Sequence, residues 1–140
     1  MKNPLFLIAA LTMALPLGGC SADEAPITYT SIPSSEAKAL MDSETDYIIL
    51  DVRTEKEFAD GHIPGAVLIP DYDIEAKAEN ELPDKNQLIL VYCRSGRKSK
   101  NAAEKLAALG YSNVKEFGGI IEWGYETTAE NITDNNSKGA

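Results

Sequence analysis

The chain has 140 residues, of which 44% are hydrophobic and 25% are charged. This length and this apolar share suit one folded domain with its own core. The formal net charge of −9 at pH 7 argues against nucleic-acid binding, which requires a basic face, and against electrostatic docking on anionic lipid.

Residues 1–19 have the pattern of a signal peptide. Met1-Lys2 supply a short positive start, and the apolar stretch from Leu5 to Leu17 is too short to span a bilayer comfortably. The sequence Leu17-Gly18-Gly19-Cys20 resembles the lipobox of bacterial lipoproteins. That resemblance implies cleavage before Cys20, a diacylglyceryl thioether on its sulfur and a membrane anchor in the bacterial cell envelope, facing the periplasm or the cell exterior. The alternative is an ordinary cleaved signal with an incidental cysteine.

Strands and helices alternate over residues 27–126, after a tether at residues 20–26. The predicted strands are residues 27–31, 47–50, 66–69, 87–92 and 114–117, and the predicted helices are residues 33–41, 54–60, 73–80 and 97–109, with a final helical turn at 120–125. This alternation predicts an α/β fold, with a central parallel sheet of about five strands and helices on both faces. Residues 127–140 are polar and predict a disordered tail.

One cysteine stands between an apolar strand and a basic cluster in the segment Val91–Ser99, VYCRSGRKS. Cys93 falls at the carboxyl end of a predicted strand, which is where parallel sheets bind ligands. Gly96 permits a tight loop, and the helix that follows presents its partly positive N-terminus to the sulfur. Arg94 and Arg97 add full positive charges. These features favour a reactive thiolate without a histidine base.

The loop Cys93-Arg94-Ser95-Gly96-Arg97-Lys98-Ser99 resembles the active-site loop of rhodanese-like sulfurtransferases. Three further segments resemble the family's N-terminal signature, and these are Asp51-Val52-Arg53, Glu57-Phe58 and Gly61-His62-Ile63-Pro64-Gly65-Ala66. Its C-terminal signature resembles Gly118-Gly119 with Trp123. The segments occur in the family's order, so the resemblance implies one rhodanese-like domain over residues 27–126.

The resemblance also implies a reaction centred on Cys93. Its sulfur would attack the outer sulfur of an anionic donor such as thiosulfate, become a persulfide, and pass that sulfur to cyanide or a thiol. Backbone N–H groups of residues 94–99 would cradle the persulfide, while the Arg94 and Arg97 side chains hold the sulfonate. The implied substrate-binding residues are therefore Arg94, Ser95, Gly96, Arg97, Lys98 and Ser99. We expect no cofactor, no metal site and a monomer.

Four upstream residues are expected to support the loop structurally. Asp51, Arg53 and Glu57 predict an ion-pair set, in which Arg53 and Glu57 are four residues apart and suit a short helical contact. His62 lies in a Gly-His-Ile-Pro-Gly turn, where an imidazole can satisfy buried backbone groups.

Other functions stay open at this point. A module of the same family can relay sulfur or bind a protein partner without small-molecule chemistry. A thiol-based phosphatase or arsenate reductase is disfavoured, because the protein-tyrosine type needs an arginine six positions after the cysteine, where this chain has Ser99. A thiol–disulfide oxidoreductase is disfavoured because no second cysteine remains once Cys20 is lipidated.

Overall fold

The computed structural model describes residues 18–19, 26 and 28–129. Most of the predicted signal peptide, the predicted lipidation site Cys20 and residues 130–140 of the predicted tail lie outside the described residues. Within the described part of the chain, no helix has the length and apolar character needed to cross a membrane.

Strands and helices alternate along the described chain as the sequence predicts. The elements are β1 (Thr30–Ser31), α1 (Ser34–Ser43), β2 (Tyr47–Asp51), α2 (Glu55–Asp60), β3 (Val67–Leu68), α3 (Ile74–Glu81), β4 (Leu88–Cys93), α4 (Arg97–Ala108) and β5 (Val114–Gly119), followed by a 3-10 turn (Ile120–Glu122).

The five strands form one parallel sheet in the order β1-β5-β4-β2-β3. The central strand β4 is buried along its whole length, because β2 and β5 flank it and helices cover it above and below. A strand in this position has no solvent-facing side, which explains its continuous apolar run. The predicted α/β fold with a five-strand parallel sheet is confirmed.

Helices pack on both faces of the sheet. Residues of α3 and α4 join one apolar cluster with Leu50, Ile89 and Val91, and residues of α1 join a second cluster with Leu90 and Phe117. Successive residues of a strand point to opposite faces, so neighbours such as Ile89 and Leu90 belong to different clusters.

Short backbone pairings occur at both ends of the described segment 28–129. Of the predicted first strand, Ile27 lies outside the described residues, and Thr30 and Ser31 are the residues that pair with β5. At the other end, the backbone of Thr128 exchanges two hydrogen bonds of 2.8 Å with the backbone of His62. Ordered pairing therefore extends two residues past position 126, into the segment predicted as a tail.

Candidate active site

Cys93 is the last residue of β4, and Arg97 begins α4 after a loop of three residues. Gly96 turns the chain with a φ of 102°, a left-handed conformation that glycine adopts without strain. This turn brings the backbone N–H of Gly96 to 3.0 Å from Cys93 Sγ, to which it donates. Cys93 is 1% exposed, so it lies beneath the loop rather than on the surface.

The glycine pair Gly118-Gly119 forms the wall against which this loop packs. β5 is paired with β4 up to Cys93 and Gly119, after a register irregularity. A Cβ atom on Gly119 would collide with the backbone carbonyl of Arg94, and Gly118 has a φ of 87°. The two glycines therefore let β5 approach the loop closely, which gives a physical reason for their place in the sequence pattern.

The basic side chains of the loop are exposed, and each has different neighbours. Arg94 lines a cleft of about 480 Å³ together with Glu57, Ile121 and Trp123, whereas Arg97 does not line it. Lys98 places its ammonium 3.6 Å from a carboxylate oxygen of Asp71. Of the two arginines predicted to hold a sulfonate, only Arg94 faces this cleft.

Asp51 and Arg53 form a buried ion pair at the carboxyl end of β2. Arg53 Nη2 lies 2.6 Å from Asp51 Oδ2, and Nε donates to both carboxylate oxygens at 3.0 and 3.1 Å. Burial opposes the charged form of Arg53, but the hydrogen bonds and the charge of Asp51 outweigh it and raise its pKa above the ordinary value. Arg53 also donates to the Gly61 carbonyl at 2.7 Å, so the pair ties β2 to the turn after α2.

Glu57 caps α2 and does not pair with Arg53. Its Oε2 accepts hydrogen bonds from the backbone N–H and the hydroxyl of Thr54, at 3.1 and 2.9 Å, and completes a capping box. These bonds, led by the backbone one, lower the pKa of Glu57. The predicted helical contact between Arg53 and Glu57 is wrong, because Arg53 precedes the N-cap Thr54 and is outside the helix.

His62 stabilises the turn that follows α2 through contacts of its ring and its backbone. Its ring stacks on the Phe58 ring with centroids 3.7 Å apart, and its Nδ1 lies 2.8 Å from the Phe58 carbonyl oxygen. Together with the backbone pairing to Thr128, these contacts hold the turn that follows α2.

Glu116 on β5 is a buried carboxylate that the sequence pattern did not mark. It is 2% exposed, and its Oε1 accepts from the Ser99 hydroxyl and from the Gly118 N–H, both at 2.8 Å. Its Oε2 accepts from the Ser31 hydroxyl at 2.9 Å. One feature of the sequence could have indicated its burial. Side chains alternate along a strand, so Glu116 points to the same face of β5 as the buried Val114. Ser99, which is fully buried, also lies 3.5 Å from Cys93 Sγ.

No cluster of three or more His, Cys, Asp and Glu residues that could bind a metal ion occurs among residues 18–19, 26 and 28–129.

Comparison with known proteins gives consistent matches over the folded region. The family model described as "Rhodanese-like domain" matches residues 34–126. The protein named Thiosulfate sulfurtransferase PspE, from Escherichia coli (strain K12), is 37% identical over 71 residues, which cover 51% of this chain and 68% of PspE. A protein named Sulfurtransferase, from Allochromatium vinosum, is 39% identical over 90 residues, covering 64% of this chain and 81% of that protein.

A solved structure agrees with the sequence matches. The crystal structure of a rhodanese-like domain protein from Staphylococcus aureus aligns with a TM-score of 0.62 at 34% identity, covering 72% of this chain and 98% of that chain. The family match spans well over half of the chain, and the same strand and helix arrangement recurs in the solved relative. The chain therefore belongs to the rhodanese-like domain family.

Proposed function

We propose that the protein is a sulfurtransferase that carries sulfane sulfur on Cys93, with a thiosulfate-like anion as donor and a thiol or cyanide as acceptor. The observation that carries this proposal is the hydrogen bond of 3.0 Å from the Gly96 N–H to the Cys93 sulfur, at the start of α4. A backbone donor and a helix N-terminus both favour negative charge on that sulfur. Family membership and the names of the relatives support the same class of reaction.

The proposed reaction has two displacements at sulfur. The Cys93 thiolate attacks the sulfane sulfur of the donor, so an S–S bond forms while the S–S bond of the donor breaks, and sulfite leaves with the electron pair. The acceptor then attacks the outer sulfur of the persulfide, and Cys93 leaves as a thiolate. The N–H groups of the first turn of α4 have no intrahelical acceptor, so they are available to the anionic persulfide sulfur.

Local charge supports an anionic donor in spite of the net charge of −9. Arg94 lines the cleft beside the loop, and Arg97 and Lys98 lie on the first turn of α4. A local group of cations in an acidic protein concentrates small anions at one place on the surface. The planar guanidinium of Arg94 suits the oxygens of a sulfonate group.

The test is sulfur transfer from thiosulfate to cyanide, followed as thiocyanate formation. We expect Cys93→Ser to abolish the reaction, and wild-type protein treated with thiosulfate to gain the mass of one sulfur atom at Cys93. Arg94→Ala should raise the KM for thiosulfate, whereas Lys100→Ala, which removes a charge from an exposed site on α4, should leave it unchanged. Equal rates for wild type and Cys93→Ser would refute the proposal.

A protein acceptor is the second candidate, and the rim of the cleft favours it. Ile121 is 66% exposed and Tyr125 is 43% exposed, and both line the cleft that contains Arg94. The backbone N–H of Ile121 donates to the Arg94 carbonyl at 3.3 Å, so this apolar side chain is next to the loop that holds Cys93. Exposed apolar side chains beside such a loop suit docking of another protein. Ile121→Ser should then slow transfer to a protein thiol while leaving transfer to cyanide unchanged. If both acceptors are affected equally, the rim has no role in choosing a protein.

A phosphatase has less support from the geometry. The sixth position after Cys93 is Ser99, which is fully buried and hydrogen-bonded to Glu116. No cation can act from that position on a phosphate, and a carboxylate lies directly behind it.

A further inference from the structure

A line of hydrogen-bonded polar groups leads from the exposed Ser31 at the edge of the sheet to the sulfur of Cys93. The Ser31 hydroxyl contacts Glu116 Oε2 at 2.9 Å, Glu116 Oε1 contacts the Ser99 hydroxyl at 2.8 Å, and Ser99 Oγ lies 3.5 Å from Cys93 Sγ. Glu116 and Cys93 are 2% and 1% exposed. Two ionisable groups are thus joined by one hydroxyl in a region with little access to water.

The direction of the Ser99 O–H bond determines whether this hydroxyl donates a hydrogen bond to the Cys93 sulfur or accepts one from it. Three acceptors surround Ser99 Oγ, namely Glu116 Oε1 at 2.8 Å, the Gly96 carbonyl at 3.0 Å and the Gly118 carbonyl at 3.3 Å. A hydroxyl has one proton, and an ionised carboxylate is the strongest of these acceptors. While Glu116 is ionised, Ser99 therefore presents a lone pair to Cys93, which can accept from a thiol but cannot donate to a thiolate.

We propose that Glu116 and Cys93 compete for one proton, which Ser99 carries between them, so that Glu116 sets how readily the sulfur ionises. The exchange breaks the S–H bond of Cys93 and forms an O–H bond on Ser99. At the same time the original O–H bond of Ser99 breaks and an O–H bond forms on Glu116. No proton enters or leaves the site, and its net charge does not change.

Electrostatics favours this exchange over the ionisation of both groups. Two negative charges in neighbouring buried positions repel each other strongly, so one of the two groups retains the proton. The thiolate is then accompanied by a neutral Glu116, which donates to Ser99 and frees the Ser99 hydroxyl to donate to the sulfur. The role of this proton exchange in sulfur transfer rests on the proposed function. In that reaction the same proton can return to Cys93 after the acceptor has taken the sulfur.

Other titratable and charged groups surround the pair. Burial, and then the carboxylates of Glu104 and Glu116, raise the pKa of Tyr29 above its ordinary value, so its hydroxyl is uncharged at neutral pH. Glu122 approaches from the 3-10 turn, with Oε2 4.0 Å from the Cβ position of Gly118. Charged side chains on the loop and on α4 are Arg94, Arg97, Lys98, Lys100, Glu104 and Lys105, and Lys115 lies on β5.

The test measures alkylation of Cys93 by iodoacetamide against pH in the full chain, with modification at Cys93 quantified by peptide mass spectrometry. In wild type we expect the rate to rise in two steps, because coupled groups titrate as a pair. Glu116→Gln keeps an oxygen for Ser99 and for the Gly118 N–H, but it cannot exchange the proton. Its rate should rise in one step, with a midpoint at lower pH, because the competing negative charge is gone.

Ser31→Ala provides a second variant whose effect can reach the sulfur only through Glu116. Ser31 is exposed and its hydroxyl donates to Glu116 Oε2, so the substitution leaves the fold and the loop intact. Loss of this donor makes ionised Glu116 less stable, which moves the shared proton from sulfur to carboxylate. Alkylation at neutral pH should become roughly tenfold faster, the change expected from one hydrogen bond to a charged group.

Glu104→Gln is the matched control, since it removes an exposed carboxylate from α4 without touching Ser99. Its profile should equal that of wild type. A one-step wild-type profile, or an unchanged rate in Ser31→Ala, would overturn the inference, and an effect of Glu104→Gln equal to that of Glu116→Gln would do the same. Alkylation needs no sulfur donor, so these results are independent of whether the protein makes thiocyanate.

Discussion

Replacement of Asp51 by alanine tests whether the buried ion pair stabilises the end of β2. The substitution removes the partner of the Arg53 guanidinium, which is 5% exposed and loses contacts of 2.6, 3.0 and 3.1 Å. Breaking a buried pair by removing one partner costs about 3–5 kcal/mol. Arg53 keeps the Gly61 carbonyl at 2.7 Å and the Tyr92 ring at 5.7 Å. We therefore expect the free energy of unfolding to fall by about 3 kcal/mol, the lower end of that range.

Urea unfolding followed by circular dichroism measures this loss. The control is Asp60→Ala, which removes an exposed partner of Lys56 on α2 and should leave the midpoint unchanged, because exposed pairs contribute little. Asp51→Leu combined with Arg53→Met should be more stable than Asp51→Ala, since no buried charge is left alone. If Asp51→Ala unfolds at the same urea concentration as Asp60→Ala, the buried pair does not stabilise the fold.

Three further predictions concern the loop wall, the cap of α2 and the N-terminus. Gly119→Ala should strongly destabilise the protein and abolish sulfur transfer, because the new Cβ would collide with the Arg94 carbonyl. In the control Gly124→Ala the new Cβ meets no atom within 4 Å. This control should change neither the melting temperature nor the rate of sulfur transfer. Glu57→Gln should be less stable than wild type at pH 7, because the pKa of Glu57 is lowered in the folded state. The stabilisation by ionised Glu57 is fully present above the unfolded pKa and is lost as pH falls through the folded pKa. The difference in stability between the two proteins should therefore vanish in acid. A stability difference that persists in strong acid would contradict that assignment. Cys20→Ala should move the protein from the detergent phase to the aqueous phase on partitioning of cell extracts, and retention of both forms in detergent would show that Cys20 carries no lipid anchor.

The fold could be predicted where a segment contains its own signal. The run Leu88–Val91 is apolar at every position, and the segment after it is rich in alanine and leucine and ends at Gly110. Each pattern specifies one element with little help from the rest of the chain, and their order alone implies a parallel sheet. The capping box of α2 was predictable for the same reason, because Thr54 and Glu57 satisfy each other locally.

The partners of individual charged side chains could not be predicted in the same way. The contact between Arg53 and Glu57 was inferred from helical spacing, but the helix begins after Thr54 and the nearer anion is Asp51. Glu116 shares a face of β5 with the buried Val114, but the two serines that donate to it are 85 and 17 residues away in the chain. Only the tertiary structure brings those hydroxyls to one carboxylate.

The pairings beyond both ends of residues 34–126 have a practical consequence for how a fragment of this protein is made. A fragment cut to the family boundaries would lack Ser31, which donates to Glu116, and Thr128, which pairs with His62. The truncated product would leave an internal acid short of a donor and a turn without its backbone partner. Expression clones that start before Tyr29 and stop after Ala129 would avoid both defects.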